Sequence, residues 1–309
     1  MALLFYSQFD SPDQWRTHLA AAMPELAFRV WPDVGDPNDI EAALVWKPPA
    51  GELRKFPQLK LIVNLGAGVD SIVKDTTLPS GVPITRLADP EMGRMMSQFI
   101  LAAVLRHHRE FVSFARAQRE RRWHYIHPHE TAERTVGLMG LGQLGATAAA
   151  ELARQGFQVR GWSRTEKQVP GVRCFHGQDG LAPFLNGCEI LIVLLPLTAQ
   201  TEGLVNASVF QQLPRGAKFI SVGRGRVIDE VALVAALQSG QIAEATLDVF
   251  QVEPLPEDSP LWQMEQVLIT PHLASVAIPR TAAAQVAENI QRVRTGLAPL
   301  NVVDPQRGY

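Results

Sequence analysis

Three side chains with complementary chemistry, Arg224, Glu253 and His272, each follow a short apolar run that we predict to be a strand. The carboxyl ends of parallel strands meet at one edge of an open α/β sheet, and such sheets bind their ligands there. We therefore expect these three side chains to lie near one another. Any one of them could be a surface charge, a loop acid or a core histidine, but three on successive strand ends favour a site.

The three groups are suited to reducing a ketone that neighbours a carboxylate. Arg224 can bind the carboxylate and polarise the carbonyl with paired N–H donors. His272 can donate the proton that the carbonyl oxygen needs once hydride reaches the adjacent carbon, because imidazole titrates near neutral pH. Glu253 can bond to the far ring nitrogen, fix its tautomer and favour the imidazolium form. The set predicts reduction of a small 2-oxoacid.

A site for a hydride donor is indicated by Gly140-x-Gly142-x-x-Gly145, which follows a predicted strand and precedes an alanine-rich helix pattern. The first glycine allows a tight turn, the second lets the backbone approach a pyrophosphate, and the third lets the helix pack against the strand. The N–H groups at the start of the helix then face the phosphates. A glycine pattern alone is a weak signal, but its flanking elements favour a dinucleotide site.

The end of the next strand predicts which dinucleotide is used. NAD sites place an acidic residue there to hold the ribose 2′-OH, whereas this chain has Ser163 and Arg164. Ser163 can hydrogen-bond to a 2′-phosphate, and Arg164 and Lys167 can pair with its charge, although both could instead be solvated surface charges. We predict NADPH as the cofactor, with NADH possible but less favoured. The predicted cofactor site is completed by Gln143, Leu144, Leu195, Pro196, Val222, Gly223, Asp248 and His272.

Short apolar runs alternate with helical patterns, which predicts an α/β fold with parallel sheets, and 309 residues suit two domains. We predict early strands at Leu3–Tyr6, Ala43–Val45 and Leu61–Asn64. A second series is predicted at Thr135–Met139, Gln158–Trp162, Ile190–Leu195, Lys218–Val222, Ala245–Val249 and Val267–Ile269. Strands in this order are typical of a doubly wound dinucleotide fold.

Helical spacing of apolar residues from Glu91 to Arg121 predicts one long helix that bridges the two domains. We expect the stretch that follows, Arg122 to Thr131, to be a surface excursion, because it is polar and aromatic. A last helix is predicted from Arg280 to Arg294.

The composition excludes several classes of protein. Hydrophobic residues make up 46% and charged residues 19%, with a net charge of −2, so we expect no partner among nucleic acids or anionic membranes. No segment reaches the ~20 apolar residues of a membrane span, and the N-terminus lacks a signal-peptide pattern. Cys174 and Cys188 form no CxxC pair or metal-ligand cluster, so we predict reduced thiols, no metal and a cytoplasmic location.

Together these segments resemble the D-isomer-specific 2-hydroxyacid dehydrogenase family over essentially the whole chain. The resemblance is carried, in order and spacing, by Gly140–Gly145, Gly223-Arg224-Gly225 with Val227-Ile228-Asp229, Leu247–Phe250 with Glu253-Pro254, and Pro271-His272. It implies that Arg224, Glu253 and His272 are the catalytic residues. Within the family the chain is similar to bacterial reductases of glyoxylate and hydroxypyruvate, through Val45–Pro49, Gly161–Arg164, Glu253–Pro256, Ser259–Trp262 and Arg307–Tyr309.

The resemblance also implies the architecture. It implies two Rossmann-like, doubly wound domains, in which an NADP-binding domain, residues 101–273, is inserted into a discontinuous substrate-binding domain. The latter comprises residues 1–100 and is completed by 274–309. The family places its site in the cleft between the domains and is typically dimeric through the cofactor domains, which implies a homodimer here.

The resemblance further implies the substrate contacts. Ala67 and Gly68 would bind the substrate carboxylate through their backbone N–H groups, and Trp46 would close the pocket. Arg224 and His272 would complete the substrate site.

Two positions depart from the family pattern. Lys47 stands where an uncharged residue or a histidine is expected, so it could change the preferred oxoacid. Gly223 stands where many relatives carry alanine. Two other functions remain open: a nucleotide-sensing binding protein or co-repressor of the same fold, and an NAD-linked D-2-hydroxyacid dehydrogenase of another specificity, such as a phosphoglycerate or D-lactate enzyme.

Overall fold

The computed structural model describes residues 2–304, and these form two compact units. Of the described residues, the smaller unit contains 2–92 and 276–304, and the larger contains 93–275. The predicted boundaries fall at 100/101 and 273/274. The Arg307–Tyr309 segment that contributed to the family resemblance lies outside the described residues.

The smaller unit is built on a five-stranded parallel sheet with the order β2-β1-β3-β4-β5. Its strands are β1 (Ala2–Tyr6), β2 (Ala27–Val30), β3 (Ile40–Val45), β4 (Leu61–Asn64) and β5 (Ile84–Arg86). Its helices are α1 (Pro12–Ala22), α2 (Asp70–Val73) and α9 (Pro279–Arg294). The central strands are buried along their length, as expected where both faces of a parallel sheet are covered. Strands β2 and β5 were not predicted, because they are short and only partly apolar.

The larger unit is built on a seven-stranded parallel sheet with the order β12-β11-β10-β9-β6-β7-β8. Its strands are β6 (Thr135–Met139), β7 (Gln158–Ser163), β8 (Val172–His176), β9 (Ile190–Val193), β10 (Ala217–Ser221), β11 (Ile242–Leu247) and β12 (Val267–Ile269). Helices α5 (Gln143–Arg154), α6 (Leu181–Leu185), α7 (Ala207–Gln212) and α8 (Glu230–Ser239) connect them. The strand order reverses between β6 and β9, where doubly wound sheets bind ligands. The predicted α/β fold with two doubly wound domains is confirmed.

Two details of the larger unit differ from the prediction. The edge strand β8 was missed because its side chains are only partly buried and its sequence mixes charged and apolar residues. Elsewhere, a strand such as β9 is readily predicted, because both of its faces are buried. Ile190 and Ile192 pack into one apolar cluster, while Leu191 and Val193 pack into another.

The prediction of a single helix from Glu91 to Arg121 was wrong. The chain forms α3 (Pro90–His108) and α4 (Phe111–Arg119), and Glu110 between them has a left-handed backbone with φ of 58°. The Glu110 carboxylate lies 3.7 Å from Nζ of Lys218 and 4.0 Å from Nη2 of Arg134. Both cations are distant in sequence, so apolar periodicity could not reveal the break.

The stretch after α4 is an exposed excursion, as predicted. Trp123 is 99% exposed and Tyr125 is 76% exposed. Among residues 2–304, no helix combines the length and apolar character needed to cross a bilayer.

Candidate active site

The turn between β6 and α5 can be formed only by glycine at two of its three predicted positions. Gly140 has a φ of +111°, and its N–H donates to the Trp162 carbonyl at 2.8 Å. A Cβ on Gly140 would meet the Leu194 carbonyl, and one on Gly145 would meet the Gly140 carbonyl. The first glycine therefore lets β6 turn beside the chain that follows β9, and the third lets α5 pack against the turn.

The second glycine leaves room for a ligand at the start of α5. A Cβ on Gly142 would have no described atom within 4 Å, and the described part of the chain supplies no side-chain cap to this helix. The first N–H groups of a helix have no partner within the helix. Those of Gln143 and Leu144 begin this one, so the turn has the open backbone cradle that a pyrophosphate requires.

The three residues predicted to contact the 2′-phosphate lie at the end of β7 and just after it. Arg164 and Lys167 are exposed, whereas Ser163 is buried at the strand end. The Ser163 hydroxyl donates to the carbonyl of Thr165 at 2.8 Å, which holds the turn. Both cations are accessible near the strand end, whereas the Ser163 hydroxyl would have to give up this hydrogen bond to donate to a phosphate.

The chain segments after β9 and β10 pack against each other. A Cβ on Gly223 would lie 2.7 Å from the Leu195 carbonyl oxygen, so alanine would require the backbone to shift. This contact gives a physical reason for the glycine that departs from the family pattern. Leu195 and Val222 are buried, Pro196 is exposed, and Arg224 Nη1 donates to the carbonyl of Gly223 at 2.9 Å.

An imidazole–carboxylate pair follows the last two strands of the same sheet. Nδ1 of His272 lies 2.8 Å from Oε2 of Glu253, and the other oxygen of Glu253 accepts the N–H of Phe250 at 3.2 Å. The His272 side chain is 26% exposed and that of Glu253 is 21% exposed. The pair can hold a proton on the outer ring nitrogen, because the contact with the carboxylate at Nδ1 fixes the tautomer.

Asp248 anchors the segment that carries His272. Its buried carboxylate accepts three hydrogen bonds: from the Thr270 hydroxyl at 2.6 Å, from Leu273 N at 2.9 Å and from Ala274 N at 2.9 Å. The Asp248 carbonyl also accepts the N–H of His272, whose backbone is left-handed with φ of 55°. We predicted Asp248 as a cofactor contact, and the hydrogen bonds add a positioning role that residue type alone did not reveal.

Sequence reasoning missed Glu230, which holds the loop that carries Glu253. The Glu230 carboxylate accepts the N–H of Gln251, and the Gln251 side chain donates to the Ile228 carbonyl at 2.7 Å. Burial raises the pKa of Glu230, and the nearby negative charge of Glu253 raises it further. Glu230 is the first residue of α8, where an acidic side chain is usually explained by the helix dipole. The sequence therefore gave no signal that Glu230 bonds to the loop that carries Glu253.

The smaller unit holds Trp46, Ala67 and Gly68 at the carboxyl ends of β3 and β4. The buried side chain of Asn64, also missed, donates to the carbonyls of Gly66 and Gly68, each at 2.9 Å, and so shapes the segment. Its signal was an asparagine at a strand end before a glycine-rich run. The Trp46 ring contacts the same segment, because a Cβ on Gly66 would lie 2.5 Å from Cζ3 of the ring.

Each predicted site residue thus lies at or after the carboxyl end of a parallel strand. The structure brings His272 and Glu253 into contact. Arg224 follows β10, which pairs with β11, the strand that precedes Glu253. The roles of these residues toward a substrate or a cofactor stay predictions.

The fold and the site define the class of dinucleotide-binding α/β proteins whose cofactor domain is doubly wound. Residues 101–274 match the NAD binding domain of the D-isomer specific 2-hydroxyacid dehydrogenases. The chain belongs to the D-isomer specific 2-hydroxyacid dehydrogenase family.

The chain is similar over its full length to three members of the family. The chain is 42% identical to glyoxylate/hydroxypyruvate reductase A of Yersinia enterocolitica, over the full length of both proteins. It is 59% identical to a D-isomer specific 2-hydroxyacid dehydrogenase from Xanthobacter autotrophicus in complex with NADPH and MES, with a TM-score of 0.95 and coverage of 100% and 99%. It is 34% identical to the NADPH-dependent glyoxylate/hydroxypyruvate reductase of Sinorhizobium meliloti in complex with NADP and sulfate, with a TM-score of 0.93 and the same coverage.

Proposed function

We propose that the protein is an NADPH-dependent reductase of small 2-oxoacids, which converts glyoxylate to glycolate and hydroxypyruvate to D-glycerate. The observation that carries the proposal is the 2.8 Å contact between His272 and Glu253, at the sheet edge that also holds Arg224 and the glycine turn. The relatives named as glyoxylate/hydroxypyruvate reductases, one in complex with NADP, support the substrate and the cofactor.

In the proposed reaction the protein binds and polarises the oxoacid. The Arg224 guanidinium pairs with the substrate carboxylate and directs a donor at the ketone oxygen. The backbone N–H groups of Ala67 and Gly68 bind the same carboxylate, and Trp46 supplies an apolar surface that excludes water. Negative charge that develops on the ketone oxygen is thereby stabilised by donors already in place.

Bound NADPH would supply the hydride to C2 of the oxoacid. His272 donates the proton to the ketone oxygen and is left as neutral imidazole. Glu253 stabilises the imidazolium before transfer and keeps the proton on the outer nitrogen, while Asp248 fixes the backbone that presents the ring.

The cofactor proposal assigns the N–H groups at Gly142, Gln143 and Leu144 to the pyrophosphate. Arg164 and Lys167 would pair with the 2′-phosphate, as exposed cations beside a strand end that carries no acid. The other predicted contacts are Ser163, Leu195, Pro196, Val222, Gly223 and Asp248. NADH lacks the 2′-phosphate and would gain nothing from the two cations, so we expect it to be the poorer cofactor.

The proposal is tested by steady-state reduction of a panel of 2-oxoacids with each cofactor. We expect the highest kcat/KM with glyoxylate or hydroxypyruvate and NADPH. Turnover of pyruvate alone would remove the substrate assignment, and no turnover of any acid would favour a nucleotide-sensing protein. Arg164→Gln should raise KM for NADPH by about 10- to 150-fold, as expected for one charge-assisted hydrogen bond, and leave KM for NADH unchanged. Arg154→Gln, which removes an exposed arginine on α5, is the matched control.

We also propose that the protein is a homodimer in the cytoplasm. The dimer is supported by large apolar side chains exposed on and after α4: Phe111 at 57%, Phe114 at 37%, Trp123 at 99% and Tyr125 at 76%. Light scattering at two protein concentrations tests it, and Trp123→Ser should weaken association. The cytoplasmic location is supported by the two free cysteines, of which Cys188 is buried with its pKa raised to about 12, and fractionation of cells tests it.

A further inference from the structure

Lys47 leaves the sheet beside the segment that we propose to bind the substrate carboxylate. Strands β3 and β4 are neighbours, and Val45 pairs in register with Asn64 at their carboxyl ends. The N–H of Leu65 donates to the Val45 carbonyl at 2.9 Å, so the hydrogen bonds between the two strands continue one residue beyond Asn64. Lys47 and the segment that begins at Leu65 therefore extend from one edge of one sheet.

The Trp46 ring connects the Lys47 ammonium to that segment. One side of the ring contacts Gly66, and Nζ of Lys47 lies 5.8 Å from the ring centroid. A cation at this distance is attracted to the ring. The contact keeps a positive charge beside the ring that packs on Gly66, the residue before Ala67 and Gly68.

The backbone of Lys47 is held in an uncommon conformation. Its φ is 47°, in the left-handed region that disfavours residues other than glycine, asparagine and aspartate. Pro48 and Pro49 follow, and each restricts the backbone further. Lys47 is exposed, and cation–π contacts at exposed sites are weak. Backbone conformations of this uncommon kind cluster at ligand sites.

We propose that Lys47 is a specificity-determining residue that extends the substrate range to 2-oxoacids with a second anionic group, either a carboxylate or a phosphate ester. This inference rests on the proposed function. Arg224 and the backbone of Ala67 and Gly68 would bind the carboxylate next to the ketone, and the Lys47 ammonium would meet the anion at the far end of the substrate. An ammonium is a compact charge on a flexible stem, which suits distal groups of more than one geometry.

The experiment compares kcat/KM for pairs of oxoacids that differ in the distal charge. Oxaloacetate is paired with 2-oxobutyrate, and 3-phosphohydroxypyruvate with hydroxypyruvate, so the two pairs separate a carboxylate from a phosphate. We expect Lys47→Gln to lower kcat/KM about 10-fold for the doubly charged acid of at least one pair and less than 2-fold for its partner. Lys47→Arg should retain most of the preference. Lys55→Gln, at an exposed lysine paired with Glu52, should change neither.

Two results would overturn the inference. One is an equal loss for charged and uncharged distal groups, which would mean that Lys47 shapes the site in general. The other is an unaltered preference in Lys47→Gln and in Lys47→Asn, a second variant that tolerates the left-handed backbone. Failure of the wild-type protein to reduce glyoxylate and hydroxypyruvate would instead remove the proposed function, so the two failures are distinguishable.

Discussion

The larger unit contains two histidine–glutamate pairs with the same geometry and different surroundings. Nδ1 of His107 lies 2.8 Å from Glu244, and Nδ1 of His272 lies 2.8 Å from Glu253. The His107 side chain is 0% exposed and its Nε2 lies 3.0 Å from the Thr246 hydroxyl, whereas the His272 side chain is 26% exposed. A histidine beside a glutamate can thus be buried in the core or accessible at the carboxyl edge of the sheet, and we propose a proton-transfer role only for the accessible one.

The two glutamates also differ in their other contacts. Glu244 lies 3.3 Å from Nζ of Lys218, so the His107 pair belongs to a buried ionic cluster. Burial lowers the pKa of His107 in spite of Glu244, which keeps the ring neutral at physiological pH. Glu253 instead accepts a backbone N–H, and the segment of its histidine is held by Asp248. The first arrangement stabilises packing, and the second keeps a ring accessible in a fixed orientation.

The largest expected effect is the loss of activity in His272→Ala. Removing the proposed proton donor should lower kcat by ~10²–10⁴-fold, the usual contribution of a general acid, while the melting temperature changes little. Steady-state assays and thermal unfolding of the same preparations measure both. His18→Ala, which removes a partly exposed histidine on α1, is the control and should keep full activity. Full activity in His272→Ala would show that the His272–Glu253 pair is no more catalytic than the His107–Glu244 pair.

His107→Ala should show the opposite pattern. Removing the ring leaves the buried Glu244 carboxylate without one of its hydrogen bonds, so the free energy of unfolding should fall by about 3 kcal/mol. The kcat per folded molecule should stay within about 2-fold of wild type, since general acid catalysis is assigned to the other histidine. Denaturant unfolding and active-site titration separate the two quantities. A stable but inactive His107→Ala would show that this pair takes part in the reaction.

Asp248→Asn should produce a mixed, intermediate effect. An amide cannot accept from all of the Thr270, Leu273 and Ala274 donors at once, because one of its groups is itself a donor. Loss of a hydrogen bond to a charged acceptor costs about 1.5–3 kcal/mol, and a loosened His272 should lower kcat by roughly 10-fold. The two losses should appear together in unfolding and kinetic measurements. A normal kcat in a destabilised protein would show that the anchor is dispensable for the ring.

The smallest expected effect is a pH dependence of stability. The unfolded chain protonates His107 near its ordinary pKa of 6.5, whereas the folded chain does so only at lower pH because burial lowers that pKa. Above pH 6.5 the His107 ring is neutral in both the folded and the unfolded chain. The free energy of unfolding should therefore decline as the pH falls below 6.5. We expect a melting temperature a few degrees lower at pH 5.5 than at pH 7.5, and a smaller difference in His107→Gln. An identical difference in that variant would assign the decline to other groups.

Local pattern was sufficient for much of the fold. The apolar runs at β1, β6 and β9 are buried on both faces, so they stand out as strands in the sequence. The glycine turn was equally readable, because steric limits at Gly140 and Gly145 permit no other residue. Edge elements such as β8 gave no such signal, since their side chains are partly exposed.

By itself, the sequence determined which residues could do chemistry and which strand end each one follows, because residue type and apolar periodicity are local properties. Only the tertiary structure decided the break at Glu110, the anchoring by Asp248 and the difference between the two histidines. His107 and Glu244 are 137 positions apart, and His272 and Glu253 are 19 apart. Burial and hydrogen bonding at such separations depend on how the strands stack into the sheet, which no local pattern contains.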